Sequence, residues 1–432
     1  MFETAFDCLE SSRMPPWVRN ISKVYIGDVL SKIFAVGTLI LLIRSLSVGE
    51  YAVYTVFYTI AALMPGLVGN GINMAMVRFS AEQLSLTGKK ALELYVAGLV
   101  FQIVLYAGLC SVLLLAGSDT LDTLLFGEKT FGGALKCGLI AGLGLLVTQA
   151  GRSIYQAEER FGTYVKTLCL RQILIFLPVL VLFLLGRLDF QHAALSIIVV
   201  ELATAALVSC HIFWSFSLGE VASALRKRRD VVKDFFAASR WLIAYTVTLV
   251  AFGRLNVFLL SHLSTEQELA NFGVAYRYFA LLLLLLGSIH AVLLPVLSKV
   301  EMQDINKQRN FAVKWVKLTC WLIVPMILMA LLLKPIFIWI NGKQYDRAFY
   351  ILVAFIPCIW IGLTFSPLVN IIMARKGFRF LFVLGAAALV LNVVGNYLLI
   401  PSLGGLGAAA VVGLSHALVN LSCGFRVLFL RR

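Results

Sequence analysis

The chain alternates long apolar runs with short polar segments, and this pattern predicts twelve membrane-spanning helices. A helix needs about 20 mostly apolar residues to cross the bilayer's hydrocarbon core, which is about 30 Å thick. The runs that meet this requirement are 20–45, 51–75, 92–116, 132–154, 165–186, 192–217, 239–262, 271–297, 312–340, 347–373, 378–400 and 404–428. Strands of a membrane barrel would be about ten residues long and would alternate in polarity. The runs therefore predict an all-α polytopic membrane protein.

Lys and Arg residues collect in every second loop, which predicts the orientation of the chain. Cytoplasmic loops of membrane proteins carry an excess of these residues. Four of the six loops in the poorer set (45–50, 117–131, 263–270 and 401–403) contain only Lys129 between them. With twelve spans this alternation places both termini in the cytoplasm, and the predicted location is the cytoplasmic (inner) membrane.

The composition is typical of a membrane protein and argues against a nucleic-acid-binding protein, a disulfide-rich protein or a metalloprotein. Hydrophobic residues make up 60% of the chain and charged residues 14%, against about 45–50% and about 25% in soluble domains. The net charge of +15 is spread between apolar runs and forms no single basic patch, so no nucleic-acid partner is expected. The eight cysteines contain no Cys-x-x-Cys motif, and we expect neither a disulfide framework nor a metal site. Residues 1–19 lack the apolar core of a signal peptide.

A basic segment and a short repeat divide the predicted spans into two sets of six. Residues 218–238 contain the run Arg226-Lys227-Arg228-Arg229 and follow the sixth span. Leu46-Ser47 and Leu263-Ser264 each follow the first span of their half, precede an acidic residue, and lie 217 residues apart. We predict a cytoplasmic segment 1–19, a six-helix bundle 20–217, a cytoplasmic connector 218–238 and a second bundle 239–430. Six spans separate the halves, so the repeat is parallel.

Three motifs carry a resemblance to a known family. They are Leu46-Ser47-x-x-Glu50-Tyr51-x-x-Tyr54, Leu294-Pro295-x-x-Ser298, and Leu391-Asn392-x-x-x-Asn396-Tyr397-Leu398-Leu399-Ile400-Pro401 followed by Gly404-Gly405-Leu406-Gly407. With span count and length, they resemble the polysaccharide-transporter (Wzx-type) branch of the multidrug/oligosaccharidyl-lipid/polysaccharide (MOP) flippase superfamily.

That resemblance implies a V-shaped, MATE-like pair of six-helix bundles. Wzx-type members flip undecaprenyl-diphosphate-linked sugar units to the outer leaflet, with energy thought to come from ion gradients. Drug exporters share the fold, and flippases of the peptidoglycan precursor often carry two further helices, which this chain lacks. Where related sequences often have an acid near the start of span seven, this chain has Asn256 close to Arg254, which weakens the case for an ion-coupling carboxylate there.

Five ionisable residues inside the predicted spans are candidate site residues. Charge at membrane depth costs about 2.5–3.5 kcal/mol on insertion scales, so such groups face a partner or a cavity. Arg254 and Arg277 suit an anionic headgroup because the guanidinium fork binds phosphate with two hydrogen bonds. Lys32 is a third cation, and it forms either a local ion pair with Asp28 or part of a cavity lining. Asp28 and Glu201 are candidates for ion coupling, and Glu201 is an alternative structural partner for the arginines.

Other polar and conformationally special residues have less specific interpretations. Four basic residues lie near enough to span ends to reach the membrane surface: Arg44, Lys136, Arg171 and Lys334. The amides Asn73, Asn392 and Asn396 bind either sugars or neighbouring helices. Gly138, Gly142 and Gly144 predict close packing of the fourth span, and prolines such as Pro325 and Pro357 predict kinks.

The chain contains no Walker A, His-Glu-x-x-His or Gly-x-Ser-x-Gly motif, so no catalytic residue, cofactor or enzymatic activity is expected. The first hypothesis is a flippase for lipid-linked oligosaccharides of a surface polysaccharide such as O-antigen, capsule or exopolysaccharide. Its expected partners are the lipid-linked substrate, membrane lipids, a coupling H⁺ or Na⁺ and the polysaccharide polymerase machinery. The alternatives are a cation-coupled multidrug exporter and a membrane enzyme of the same pathway. An acidic cavity would favour the exporter, and a long outer loop would favour the enzyme.

Overall fold

The computed structural model describes residues 16–87, 91–115, 132–214, 216–298, 304–375 and 377–429, and within these ranges the chain is helical with short connections. The helices are α1 (Pro16–Ser45), α2 (Val48–Thr87), α3 (Leu92–Leu115), α4 (Gly132–Ala157), α5 (Phe161–Leu184), α6 (Phe190–Phe213), α7 (Leu218–Leu263), α8 (Glu266–Ser298), α9 (Ile305–Thr319), α10 (Ile323–Leu332), α11 (Lys334–Asn341), α12 (Asp346–Ala354), α13 (Ile356–Ala374), α14 (Phe378–Leu403) and α15 (Gly405–Phe429). No strand occurs in these ranges. The predicted N-terminal segment 1–19 lies outside them up to residue 15.

The predicted all-α membrane fold is confirmed. Eleven segments of the described chain are long and apolar enough to cross a membrane. The predicted eighth run falls in the 33-residue helix α8, which is not among those eleven, so the exact count of twelve is not confirmed. In a bilayer every backbone amide needs a partner within the protein, and helices meet this requirement along their whole length.

The ninth predicted span, 312–340, is divided among α9, α10 and α11, and its first break lies close to Pro325, where the sequence predicted a kink. A 3₁₀ turn, Cys320–Leu322, separates α9 from α10. Pro325 lies in the first turn of α10; proline has no amide hydrogen, and its ring clashes with the carbonyl four residues earlier. The indole Nε1 of Trp360 donates to the carbonyls of Thr319 at 3.2 Å and Cys320 at 3.1 Å. The tryptophan thus satisfies backbone acceptors at the break.

The chain forms two compact units. The first contains α1, α2 from Phe57 onward, α3 to α6 and the beginning of α7 as far as Ile243. The second contains Ser47–Val56 at the beginning of α2 and the chain from Ala244 onward. The predicted connector 218–238 is the first part of α7, and Phe235 within it is buried against Phe79 with ring centroids 5.6 Å apart. The division into two bundles of six spans remains a prediction.

The glycines of α4 let neighbouring helices approach its backbone, as the sequence predicted. A Cβ on Gly138 would lie 2.8 Å from the carbonyl oxygen of Phe57 on α2. A Cβ on Gly144 would lie 2.6 Å from the carbonyl carbon of Glu201 on α6. Both distances are shorter than a methyl group tolerates, so α4 packs at small-residue contacts of the kind that hold membrane helices together.

The repeated loop motif consists of two helix N-caps. At the start of α2, the Ser47 hydroxyl accepts from the amide of Glu50 at 3.3 Å, and the Glu50 carboxylate accepts from the amide of Ser47 at 3.0 Å. At the start of α8, the Thr265 hydroxyl accepts from the amide of Glu268 at 3.3 Å. The first is a reciprocal capping box. In the second, the carboxylate of Glu268 instead accepts from the amide of Gly405 at 2.8 Å, at the start of α15.

Candidate functional site

The two candidate arginines lie on neighbouring helices of the second unit, and each lies over a tyrosine ring. Arg277 on α8 places its guanidinium 4.6 Å from the ring centroid of Tyr54. Arg254 on α7 lies 5.9 Å from the ring centroid of Tyr276. Both arginines are half-buried. Aromatic faces attract a cation electrostatically, which offsets part of the cost of holding the charge in the membrane.

A cluster of tyrosines surrounds the Arg277 position, and sequence reasoning did not identify it. The ring of Tyr51 lies 5.8 Å from that of Tyr54 and 5.8 Å from that of Tyr345. Tyr278, next to Arg277, donates its hydroxyl to Asn341 at 2.9 Å. The hydroxyls of Tyr51 and Tyr345 are buried and have no hydrogen-bond partner among the described residues. The resemblance motif contains Tyr51 and Tyr54, but Tyr345 lies almost 300 residues further along the sequence, so only the fold brings it to the cluster.

The Tyr276 hydroxyl links the two arginine-bearing helices by donating to the carbonyl of Gly253 on α7. Gly253 directly precedes Arg254, so this hydrogen bond fixes the backbone beside one of the two cations. Tyr276 directly precedes Arg277 in the same way. One phenol therefore contributes to the position of both guanidinium groups.

Glu201 is paired with Arg171, in the first unit. Arg171 on α5 donates from Nε to one carboxylate oxygen of Glu201 at 2.9 Å and from a terminal nitrogen to the other. The side chains are 16% and 4% exposed, respectively. The expectation that Arg171 reaches the membrane surface is wrong, because its guanidinium is held by this buried carboxylate. The pair also gives Glu201 a structural partner other than Arg254 or Arg277.

Asp28 and Lys32 are half-buried on α1. In the part of the chain that the structure describes, no ion pair joins them, although four residues separate them on one helical face. The local pair is therefore not formed, and the cavity-lining interpretation of Lys32 stays a prediction.

A buried amide cluster surrounds Asn256 on α7. The side-chain nitrogen of Asn396 on α14 donates to the side-chain oxygen of Asn256 on α7 at 2.8 Å and to the backbone carbonyl of Asn392 at 2.7 Å. All three side chains are at most 1% exposed. In the first unit, Gln102 likewise donates to Asn73 at 3.0 Å. For Asn396 and Asn73 the helix-binding interpretation holds, since each has a hydrogen bond to a side chain of another helix.

The described residues contain no group of three or more His, Cys, Asp and Glu side chains placed to hold a metal. The chemistry that the second unit offers is cationic and aromatic. Guanidinium groups can bind phosphate oxygens with paired hydrogen bonds, and tyrosine rings offer apolar faces with a polar edge. Together these groups suit an anion attached to a polar ring-bearing molecule.

Comparisons with known proteins identify the family and the fold of the chain. The family model described as "Polysaccharide biosynthesis protein" matches residues 17–301, more than half of the chain. No curated protein sequence is similar enough to the chain to count as a match.

Three solved structures share the fold at low identity. An inward-facing multidrug resistance MATE family transporter of the MOP superfamily is 14% identical with a TM-score of 0.74, covering 92% of this chain and 94% of that one. The lipid II flippase MurJ in an inward closed conformation is 14% identical with a TM-score of 0.70, covering 94% and 87%. A MOP superfamily transporter from Pyrococcus furiosus Vc1, for which the reverse polarity of the binding pocket suggests a different function, is 14% identical with a TM-score of 0.64, covering 95% of each chain.

Proposed function

The chain belongs to the polysaccharide biosynthesis protein family, and from this membership we propose that it is a flippase that moves lipid-linked oligosaccharides across the cytoplasmic membrane. The observation that carries the proposal is the placement of Arg254 and Arg277, each half-buried and over a tyrosine ring, in the membrane-embedded part of one unit. Cations are costly at this depth. An anionic substrate that passes through the membrane supplies a functional reason for retaining them.

The proposed substrate is an undecaprenyl-diphosphate-linked sugar unit. Its diphosphate would bind the guanidinium forks of Arg254 and Arg277. The sugar rings would lie against Tyr276 and Tyr278, the half-buried tyrosines on either side of Arg277. Movement would follow alternating access, with the polyprenyl tail remaining in lipid.

The charge distribution favours an anionic cargo over the organic cations of a multidrug exporter. An exporter of cations needs free carboxylates in its path. Glu201 is held by two nitrogens of the Arg171 guanidinium, and the polar residue beside Arg254 is the amide Asn256, which is engaged with Asn396. Asp28 is the remaining candidate carboxylate, and we propose it as the group that senses a coupling H⁺ or Na⁺. The solved relatives of matching fold include a MATE transporter and a lipid II flippase, so the fold is compatible with either cargo.

The experiment measures the undecaprenyl-linked sugar unit and surface polymer in cells that carry single variants. Arg254→Ala and Arg277→Ala should raise the lipid-linked unit inside the cell and lower surface polymer, whereas Arg277→Lys should retain part of the activity because it keeps the charge and loses the fork. Lys136→Ala is the matched control, since Lys136 is an exposed cation near the beginning of α4. Expression of each variant is checked in isolated membranes.

A complete gene deletion separates the two functions. Unchanged surface polymer in the deletion strain, together with new sensitivity to cationic drugs, would replace the flippase with the exporter. If the deletion abolishes polymer but both arginine variants behave like Lys136→Ala, the flippase proposal survives and the assignment of the arginines to its path is lost.

A further inference from the structure

A groove on the surface of the second unit has the shape and polarity of a binding site for one membrane lipid. It lies between α14 and α15, has a volume of about 510 Å³, and is lined by Phe380, Leu384, Leu421, Ser422, Phe425 and Arg426. From these features we propose that it binds an anionic phospholipid of the surrounding bilayer. This inference is independent of the transported substrate, because it concerns the outer surface of two helices and neither Arg254 nor Arg277.

The polarity of the groove changes along the helices, from a charged end to an apolar end. Phe380 is near the beginning of α14 and Arg426 near the end of α15, and the guanidinium carbon of Arg426 lies 4.1 Å from the Phe380 ring centroid. The helices are antiparallel at this point, so the charged end of the groove is at the ends of both. Leu384 and Leu421 lie a turn or more deeper, about 5.4 Å per turn along the helix axis. A charged mouth above an apolar floor matches the amphiphilic profile of a lipid.

Arg426 is placed to bind a phosphodiester. Its side chain is exposed, and its guanidinium lies over the ring of Phe380, which also lines the groove. Ser422 is one turn below on the same helix, about 6 Å away. A hydroxyl at this position can donate to an ester carbonyl of a lipid whose phosphate is held by Arg426. The spacing of the two polar groups thus corresponds to a headgroup phosphate and the first ester of a glycerophospholipid.

The charge around the mouth favours an anionic headgroup over a zwitterionic one. Arg309 on α9 donates from Nε to the carbonyl of Val427 at 3.0 Å, which brings a second guanidinium to the last turn of α15. The basic-residue pattern predicts this end to be cytoplasmic, and the cytoplasmic leaflet carries anionic lipids that attract such clusters.

The test uses the purified full-length chain in detergent, supplied with phosphatidylglycerol or phosphatidylcholine, and counts the lipid molecules retained by native mass spectrometry. Wild type should retain phosphatidylglycerol in preference to phosphatidylcholine. Arg426→Gln should reduce phosphatidylglycerol retention about tenfold, the effect of one hydrogen-bonded charge, and Arg426→Lys should be intermediate. Ser422→Phe fills the groove and keeps the cation, so it should reduce retention of both lipids.

Arg379→Gln is the matched control, because it removes a nearby exposed cation that does not line the groove. Equal losses in Arg379→Gln and Arg426→Gln would show a diffuse charge effect and overturn the site. If Ser422→Phe retains as much lipid as wild type, the lipid does not bind in the groove. If wild type retains the two lipids equally, the site has no preference for an anionic headgroup. None of these experiments measures transport, so a negative result would contradict the lipid site and would not bear on the flippase proposal.

Discussion

Breaking the buried ion pair between α5 and α6 should strongly destabilise the first unit. Glu201→Gln removes one charge and leaves the Arg171 guanidinium, 16% exposed, without its counter-ion. Removing one partner of a buried pair typically costs about 3–5 kcal/mol, because the remaining charge stays desolvated and unpaired. Both nitrogens of the fork take part here, so we expect a value within that range. Arg171→Met should cost a comparable amount, since it strands the carboxylate instead.

The double variant Arg171→Met/Glu201→Leu separates the ion pair from packing. It removes both charges and keeps apolar volume, so its unfolding free energy should be closer to wild type than that of either single variant. The measurement is unfolding of the purified protein in mixed detergent–SDS micelles, with Arg44→Met as the control for an exposed arginine. Single-variant losses that simply add in the double variant would refute the reasoning, because they would show no coupling between the two side chains.

Three further predictions concern local geometry. Gly404→Ala should destabilise by about 1–3 kcal/mol, because Gly404 has a φ of +58° and an added Cβ would overlap the carboxylate of Glu268; thermal unfolding should show no such loss for Gly413→Ala, where a Cβ meets nothing within 4 Å. The hydrogen bonds from backbone amides at the start of α6 lower the pKa of Asp189. The side chain is half-exposed, so its contribution to stability is small; it is present above about pH 4 and is lost as the pH falls through the lowered pKa. Asp189→Asn should keep the N-cap and remove this pH dependence of Tm. Asn396→Leu should cost about 0.6–2 kcal/mol in the micelle unfolding assay, because it removes the hydrogen bond that joins α14 to α7, and a loss as small as that of Gly413→Ala would count against this role.

Sequence patterns predicted the secondary structure correctly where it depends only on residues of the same helix. The apolar runs predicted helices because lipid offers no partner for an unpaired backbone amide. The Gly138 and Gly144 positions predicted close packing because only a missing side chain permits it. Pro325 predicted a kink in the ninth span, and the structure has a 3₁₀ turn at Cys320–Leu322 nearby. The sequence could not show that the indole of Trp360, from another helix, donates to the carbonyls of Thr319 and Cys320 at this turn.

The tertiary structure decided which polar side chains meet. Helical periodicity places Asp28 and Lys32 on one face, yet a shared face did not make them a pair. Helical periodicity could not show that Glu201 forms an ion pair with Arg171, 30 residues away, or that the ring of Tyr345 contacts that of Tyr51. The sequence alone determined the membrane class and the helical secondary structure, since these follow from the polarity and spacing of residues along the chain, and its motifs indicated the family by resemblance. The partners of each buried charge depend on the register and rotation of packed helices, and only the folded protein specifies those.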